Sequence, residues 1–207
     1  MKRKGILIII SGFSGAGKGT LVKKLVEKYD GYALSISATT REPRPGEVDG
    51  REYFFLKKEE FENKIAVNGL IEYACYCDNY YGTPREYVEE QLEDGRDVIL
   101  EIEIQGAHKV KKQYPDALTL FVMTPDAEEL RYRLESRGTE SAEVIEKRMQ
   151  RAAEEAMGIE KYEYIVVNDN LEKCVDEVHR IIMAAHNAAH RNREFIDNIR
   201  KELEGEK

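Results

Sequence analysis

A continuously apolar run that breaks straight into glycines constrains this chain most. Gly5-Ile-Leu-Ile-Ile-Ile-Ser11 has no polar alternation and is rich in β-branched residues, the pattern of a central parallel strand covered on both faces. Gly12-Phe13-Ser14-Gly15-Ala16-Gly17-Lys18-Gly19-Thr20 follows at once, and Leu21, Val22, Leu25 and Val26 then recur with helical period between lysines. A buried strand, a glycine turn and an amphipathic helix in succession open a parallel α/β sheet.

Further apolar runs at 97–104, 117–123 and 164–167 are bounded by polar residues and read as strands separated by helices. The fold class expected is α/β, a parallel sheet with helices on both faces. The alternation breaks between about 35 and 95, where prolines, tyrosines and short apolar pieces gather, and again between 126 and 158, which is charged and helical. Both breaks are expected to be inserted lobes. The segment after Ala184 is polar with an apolar stripe at Phe195, Ile196, Ile199 and Leu203, which predicts an appended helix.

The 207 residues carry 32 Lys and Arg against 40 Asp and Glu, a net charge of -8. Such a field repels nucleic acid and anionic membrane surfaces, so neither is expected as a partner and a polyanionic ligand needs a local basic site. Cys75, Cys77 and Cys174 cannot all pair with one another and lack zinc-site spacing, which fits reduced thiols and predicts a cytoplasmic location.

That basic site begins at Gly12. GFSGAGKGT fits G-x-x-x-x-G-K between a buried strand and a helix, the context of a phosphate-binding loop (P-loop). Glycines let backbone N–H groups turn inward, the helix N-terminus adds positive potential, and Lys18 reaches the terminal phosphates. Gly19 stands where Ser or Thr usually meets Mg²⁺, so either the Thr20 hydroxyl or water serves the metal. A second arginine-rich element follows: Pro43 and Pro45 stiffen the loop that carries Arg41 and Arg44, and guanidinium forks there suit a second phosphate, with Tyr53 and Tyr81 near in sequence. An ordinary surface turn accounts for the same pattern. In DVILEIEIQG, alternation sets Glu101 and Glu103 on one side at a strand's C-terminal end, where α/β folds bind ligands. Glu101 is the metal candidate, directly or through water, and Glu103 belongs to the nucleotide side, at the ribose or the arginines.

Six segments in order, GFSGAGKGT, SATTREPRPGEVDGREYFF, IEYACYCDNYYGTPRE, DVILEIEIQG, RLESRGTES and IVVND, resemble the guanylate kinase family. The resemblance covers residues 5 to about 184. It implies a P-loop three-layer core (1–36, 96–125, 159–184), a GMP-binding lobe (37–95), a helical lid (126–158) and an extension at 185–207. It further implies transfer of the ATP γ-phosphoryl group to GMP, and to dGMP, with Mg²⁺ accompanying ATP, in purine nucleotide metabolism.

By the same resemblance, Arg41, Arg44, Tyr53 and Tyr81 hold the GMP phosphate, and Ser37, Glu72 and Thr83 hold guanine. Arg137 and Arg148 join Lys18 and Arg41 as catalytic cations, with Arg133 behind them, and Asn168 and Asp169 border the adenine of ATP. The competing readings are a non-catalytic interaction module of the same fold and a kinase for another small phosphate acceptor. The intact loop with Lys18 weighs against the first, and Glu72 with Ser37 and Thr83 against the second.

Overall fold

The computed structural model describes residues 3–76, 78–136, 138 and 141–205. The chain opens with β1 (Leu7–Gly12), α1 (Lys18–Lys28) and β2 (Tyr32–Leu34), then enters β3 (Ala38–Thr39), β4 (Phe54–Phe55), α2 (Lys58–Ala66), β5 (Leu70–Tyr76) and β6 (Asn79–Pro84). It continues through α3 (Arg85–Glu93), β7 (Asp97–Glu101), α4 (Ile104–Gln113), β8 (Leu118–Met123), α5 (Ala127–Ser136) and α6 (Ala142–Ala156). It ends with β9 (Tyr164–Val167), α7 (Leu171–His186) and α8 (Arg193–Glu204).

β1 is the middle of a parallel sheet ordered β2-β7-β1-β8-β9. Leu7 registers with Val98 on one side and Ile8 with Leu118 on the other. Ile8, Ile9 and Ile10 have no exposed surface, so the unbroken apolar run is explained by cover on both faces. α1 and α7 lie side by side, joined by Lys24–Glu172 and Lys28–Asp176 ion pairs and by the Tyr29 hydroxyl, which donates to Asp176 at 2.8 Å. At the base of the sheet Asp97 accepts the Ile6 N–H at 2.8 Å and meets His186 Nε2 at 2.9 Å, both side chains being buried.

Between β2 and β7 the chain builds a second sheet, ordered β4-β3-β6-β5 and mixed in direction. It has its own small core, with Phe61 stacked on Tyr80 at 5.1 Å beside Ala38 and Leu70. α5 and α6 form the other departure, between β8 and β9, linked by Arg131 and Glu146. α8 buries none of its residues, leaving Phe195, Ile199 and Leu203 in solvent. Among the described residues no helix is long and apolar enough to cross a membrane.

One expectation fails here. The strand expected at 97–104 ends at Glu101, and Glu103 instead occupies the N-cap position of α4, its carbonyl taking the Ala107 N–H at 2.9 Å. β1 runs on to Gly12, two residues past the Ile10–Glu101 pair, but beyond the Ile102 N–H, which donates to the Ile10 carbonyl at 3.2 Å, the ladder gives way to a side chain: the Ser11 hydroxyl donates to the Ile102 carbonyl at 2.7 Å and α4 begins. Glu101 and Glu103 therefore do not share a strand face.

Candidate active site

The glycine loop rests on β1, and two of its glycines are obligatory. A Cβ at Gly12 would lie 2.0 Å from the Val122 carbonyl oxygen, and Gly17 has φ +85° with a Cβ position 2.7 Å from Asn168 Nδ2. Lys18, at the first turn of α1, folds back and donates to the carbonyls of Gly12 at 2.8 Å and Phe13 at 3.1 Å. Phe13 packs edge-on against Phe121 at 5.1 Å and anchors the loop to the core. Asn168, buried after β9, donates to the Ala16 carbonyl at 2.8 Å, and its own carbonyl accepts from Arg133 Nη2 at 2.8 Å. Arg133 is set by Glu129 one turn earlier at 2.6 Å. Arg148 of α6 reaches across and donates to Ser14 Oγ at 2.5 Å. Phe13, Ser14, Ala16, Lys18, Arg133, Arg148 and Asn168 are thus brought together, and Asp169 follows as an exposed residue. Arg137 lies outside the described residues.

Glu101 closes the neighbouring strand. Its Oε2 stands 3.6 Å from where a Gly19 Cβ would be, which puts a carboxylate beside the start of α1, and Thr20 is exposed next to it. Desolvation raises the Glu101 carboxyl above its ordinary value, with Lys18 pulling the other way. No cluster of three or more metal-ligating side chains occurs among the described residues. One carboxylate and one hydroxyl beside a phosphate site fit a hard cation that keeps water and substrate oxygens as its other ligands. Glu103 points elsewhere: Arg151 of α6 donates to it at 2.7 Å, and Arg151 also pairs with Glu155. The α4–α6 seam there opens into a groove of about 670 Å³.

The second sheet assembles the other residues. Arg41 donates through both terminal nitrogens to Glu47, at 2.9 and 3.0 Å, and lies over the rings of Tyr53 at 5.4 Å and Phe55 at 5.8 Å. Tyr53 meets Tyr81 edge-on at 6.1 Å, and the Tyr81 hydroxyl neighbours Arg41. Arg44 is exposed, with its backbone N–H bonded to Glu47 at 2.6 Å. Glu72 on β5 accepts from the buried Thr83 hydroxyl on β6 at 2.8 Å. Burial raises the Glu72 carboxyl, opposed by Thr83 and by the charge of Lys109. Ser37 is half-buried at the head of β3, its carbonyl accepting the Phe54 N–H at 2.9 Å.

Glu47, Phe55 and Lys109 were not singled out by the sequence, whereas Arg151, which reads there as a surface Arg–Glu pair, does pair with Glu155 and also reaches Glu103. An acid six residues after Arg41, across a Pro-Gly turn, is the signal that could have found Glu47. Phe55 and Lys109 carry no local sign, because their partners come from other segments.

The guanylate kinase family model matches residues 4–185. The guanylate kinase of Caldanaerobacter subterraneus subsp. tengcongensis is 50% identical over 202 residues, 98% of each chain. That of Oceanobacillus iheyensis is 52% identical over 186 residues, 90% of each chain. The crystal structure of guanylate kinase from Anaplasma phagocytophilum superposes with a TM-score of 0.72 at 30% identity over 96% of both chains. With a parallel sheet built around a P-loop and matches that run almost end to end, this chain belongs to the guanylate kinase family.

Proposed function

We propose that this chain transfers the γ-phosphoryl group of ATP to GMP, and to dGMP, giving ADP and GDP. The observation that supports this most directly is the Glu72–Thr83 pair, a desolvated carboxylate beside a buried hydroxyl on a sheet separate from the phosphate loop. Guanine offers N1–H and an exocyclic NH₂ next to a carbonyl, so one carboxylate accepts from both donors while the hydroxyl of Ser37, and that of Thr83 once its hydrogen turns from Glu72, answer the acceptors. Adenine presents a lone pair at N1 and leaves the carboxylate unmatched.

The attacking atom is an oxygen of the GMP phosphate, already anionic near neutral pH, so no general base is required and catalysis reduces to alignment and charge stabilisation. Donor and acceptor are both polyanions. Arg41, Arg44, Tyr53 and Tyr81 hold the acceptor phosphate, and the backbone of Gly12–Thr20 with Lys18 holds the donor phosphates. Arg148 and Arg137, with Arg133, bring positive charge from the α5–α6 arm, and Asn168 and Asp169 border adenine. A divalent ion, which we take to be Mg²⁺ near Thr20 and Glu101, would neutralise charge shared between the β- and γ-phosphates. Glu103 serves the nucleotide side through Arg151. In this reading residues 37–95 are the GMP-binding lobe, 126–158 a lid that excludes water, and 185–207 an extension of the core. The cytoplasm is the proposed location, supported by free thiols at Cys75 and Cys174.

A coupled ADP-release assay with ATP, Mg²⁺ and each nucleoside monophosphate in turn tests the reading. Turnover with GMP and dGMP, little with AMP, and loss on chelation are expected. Equal turnover with AMP would overturn the acceptor assignment, and no turnover with any acceptor would favour an interaction module.

A further inference from the structure

Resting on the GMP reading, we propose that Glu47 is a positioning residue: its carboxylate takes the outer edge of the Arg41 guanidinium and thereby dictates which edge meets the acceptor phosphate.

A guanidinium has five N–H groups in one plane, two on each terminal nitrogen and one on Nε. In Arg41 the two terminal nitrogens face Glu47 as a fork, Nη2 to Oε1 at 2.9 Å and Nη1 to Oε2 at 3.0 Å. Nη1 also donates to the Glu42 carbonyl at 2.7 Å. These three bonds use the whole of Nη1 and half of Nη2. The hydrogens these bonds leave are those of Nε and the second on Nη2, on one edge at a spacing that also matches two oxygens of a phosphate, and the hydroxyl of Tyr81, itself assigned to that phosphate, also neighbours Arg41. The guanidinium also lies over the rings of Tyr53 and Phe55, which confine its plane. One edge of Arg41 is thus presented, and its orientation is fixed from three sides.

Glu47 does more than pair with one arginine. Its Oε2 also accepts the Arg44 backbone N–H at 2.6 Å, so one carboxylate ties the side chain of Arg41 to the main chain at Arg44. The side chains of Arg41 and Glu47 are only 16% and 18% exposed, which separates this pair from the loose ion pairs of the surface. Two arginines three residues apart, the second of them flanked by Pro43 and Pro45, would otherwise repel and sample several rotamers. The proposed function needs both to meet one phosphate, and Glu47 supplies the counter-charge that lets them stay adjacent.

A rival role for Glu47 is an internal anion that occupies the phosphate position and must be displaced. The two roles differ in sign. If Glu47 positions Arg41, then Glu47→Gln, which keeps shape and loses charge, raises the KM for GMP roughly tenfold or more, as expected for a misaligned charge-assisted contact. The KM for ATP and the melting temperature stay near the parent values, and kcat falls much less than kcat/KM. In an Arg41→Met background the same Glu47 change has little further effect, because the residue it acts through is gone. Glu47→Asp, charged but one methylene shorter, gives an intermediate KM and serves where the Gln variant melts early. An unchanged or lowered KM for GMP, or full additivity with Arg41→Met, would overturn the proposal while leaving the GMP reading intact. A parent protein that releases no ADP with GMP would overturn both.

Discussion

The side-chain amide of Asn168 donates to the carbonyl of Ala16 at 2.8 Å, fastening the end of β9 to the middle of the phosphate loop. Asn168 is 5% exposed, so the bond is made where water cannot replace it. Asn168→Ala leaves the Ala16 carbonyl buried and unpaired, at a cost of about 1–3 kcal/mol. A melting temperature several degrees lower, with a raised KM for ATP and an unaltered KM for GMP, is the expected outcome in calorimetry and steady-state assays.

Lys18 tests the donor side. Lys18→Ala removes a cation that the proposed mechanism uses on developing phosphate charge, worth roughly 2.7–4 kcal/mol by comparison with other electrostatic stabilisers. The bonds it gives up, to the carbonyls of Gly12 and Phe13, are only part-buried, and Phe13 keeps its anchor on Phe121, so the fold should persist. A kcat within a few-fold of the parent would remove the lysine from the mechanism.

Arg148 joins the α5–α6 arm to the loop through Ser14. Arg148→Met is expected to depress kcat far more than it raises the KM for GMP, the signature of a contact made chiefly in the transition state. Equal changes in kcat and KM would return Arg148 to a purely structural place.

Glu72 sets a pH dependence and a preference. Burial holds its carboxyl above the ordinary 4.5. The folded chain keeps that proton in a window where the unfolded chain has lost it, so this contribution to stability is complete below the unfolded value and lost as pH rises through the folded one. Activity runs the other way: protonation removes one acceptor from guanine, so kcat/KM for GMP should fall on the acid side beginning above pH 4.5. Glu72→Gln should flatten that fall and narrow the ratio of GMP to AMP turnover, since the amide donates to adenine N1. Parallel pH profiles of parent and variant with both nucleotides decide it.

Two glycines of one loop should respond oppositely. At Gly19 a Cβ would stand 3.6 Å from Glu101, ordinary contact, so Gly19→Ser is expected to fold and stay active within a few-fold. At Gly12 it would stand 2.0 Å from the Val122 carbonyl, so Gly12→Ala should fail to give soluble folded protein. Expression and melting curves of the pair provide the comparison.

What could be read in the sequence was local. The run 5–11, the glycine loop and the α1 periodicity are short-range patterns, and each element forms where its residues predict. The end of β7 was not legible, because the carbonyl that follows it, Ile102, is taken by the Ser11 hydroxyl of β1, a partner distant in sequence. The partners of Arg41 and Glu72 divide in the same manner. Glu47 is six residues from Arg41 and left a trace, whereas Lys109, which faces Glu72, arrives on α4 and left none.

The Asp97 contact at the foot of the sheet gathers the start of β1 and the end of α7 at one point. Arg3 enters beside that point, its guanidinium 3.7 Å from Asp97, and the loops that carry Lys18 and Glu101 lie at the other ends of the same strands. A pull applied ahead of β1 therefore enters at the foot of the sheet, and the load is borne in shear across the ladders of β1 with β7 and β8 before any of it reaches the loop. For an immobilised form, the segment ahead of β1 is a handle on the end of the sheet remote from the phosphate loop.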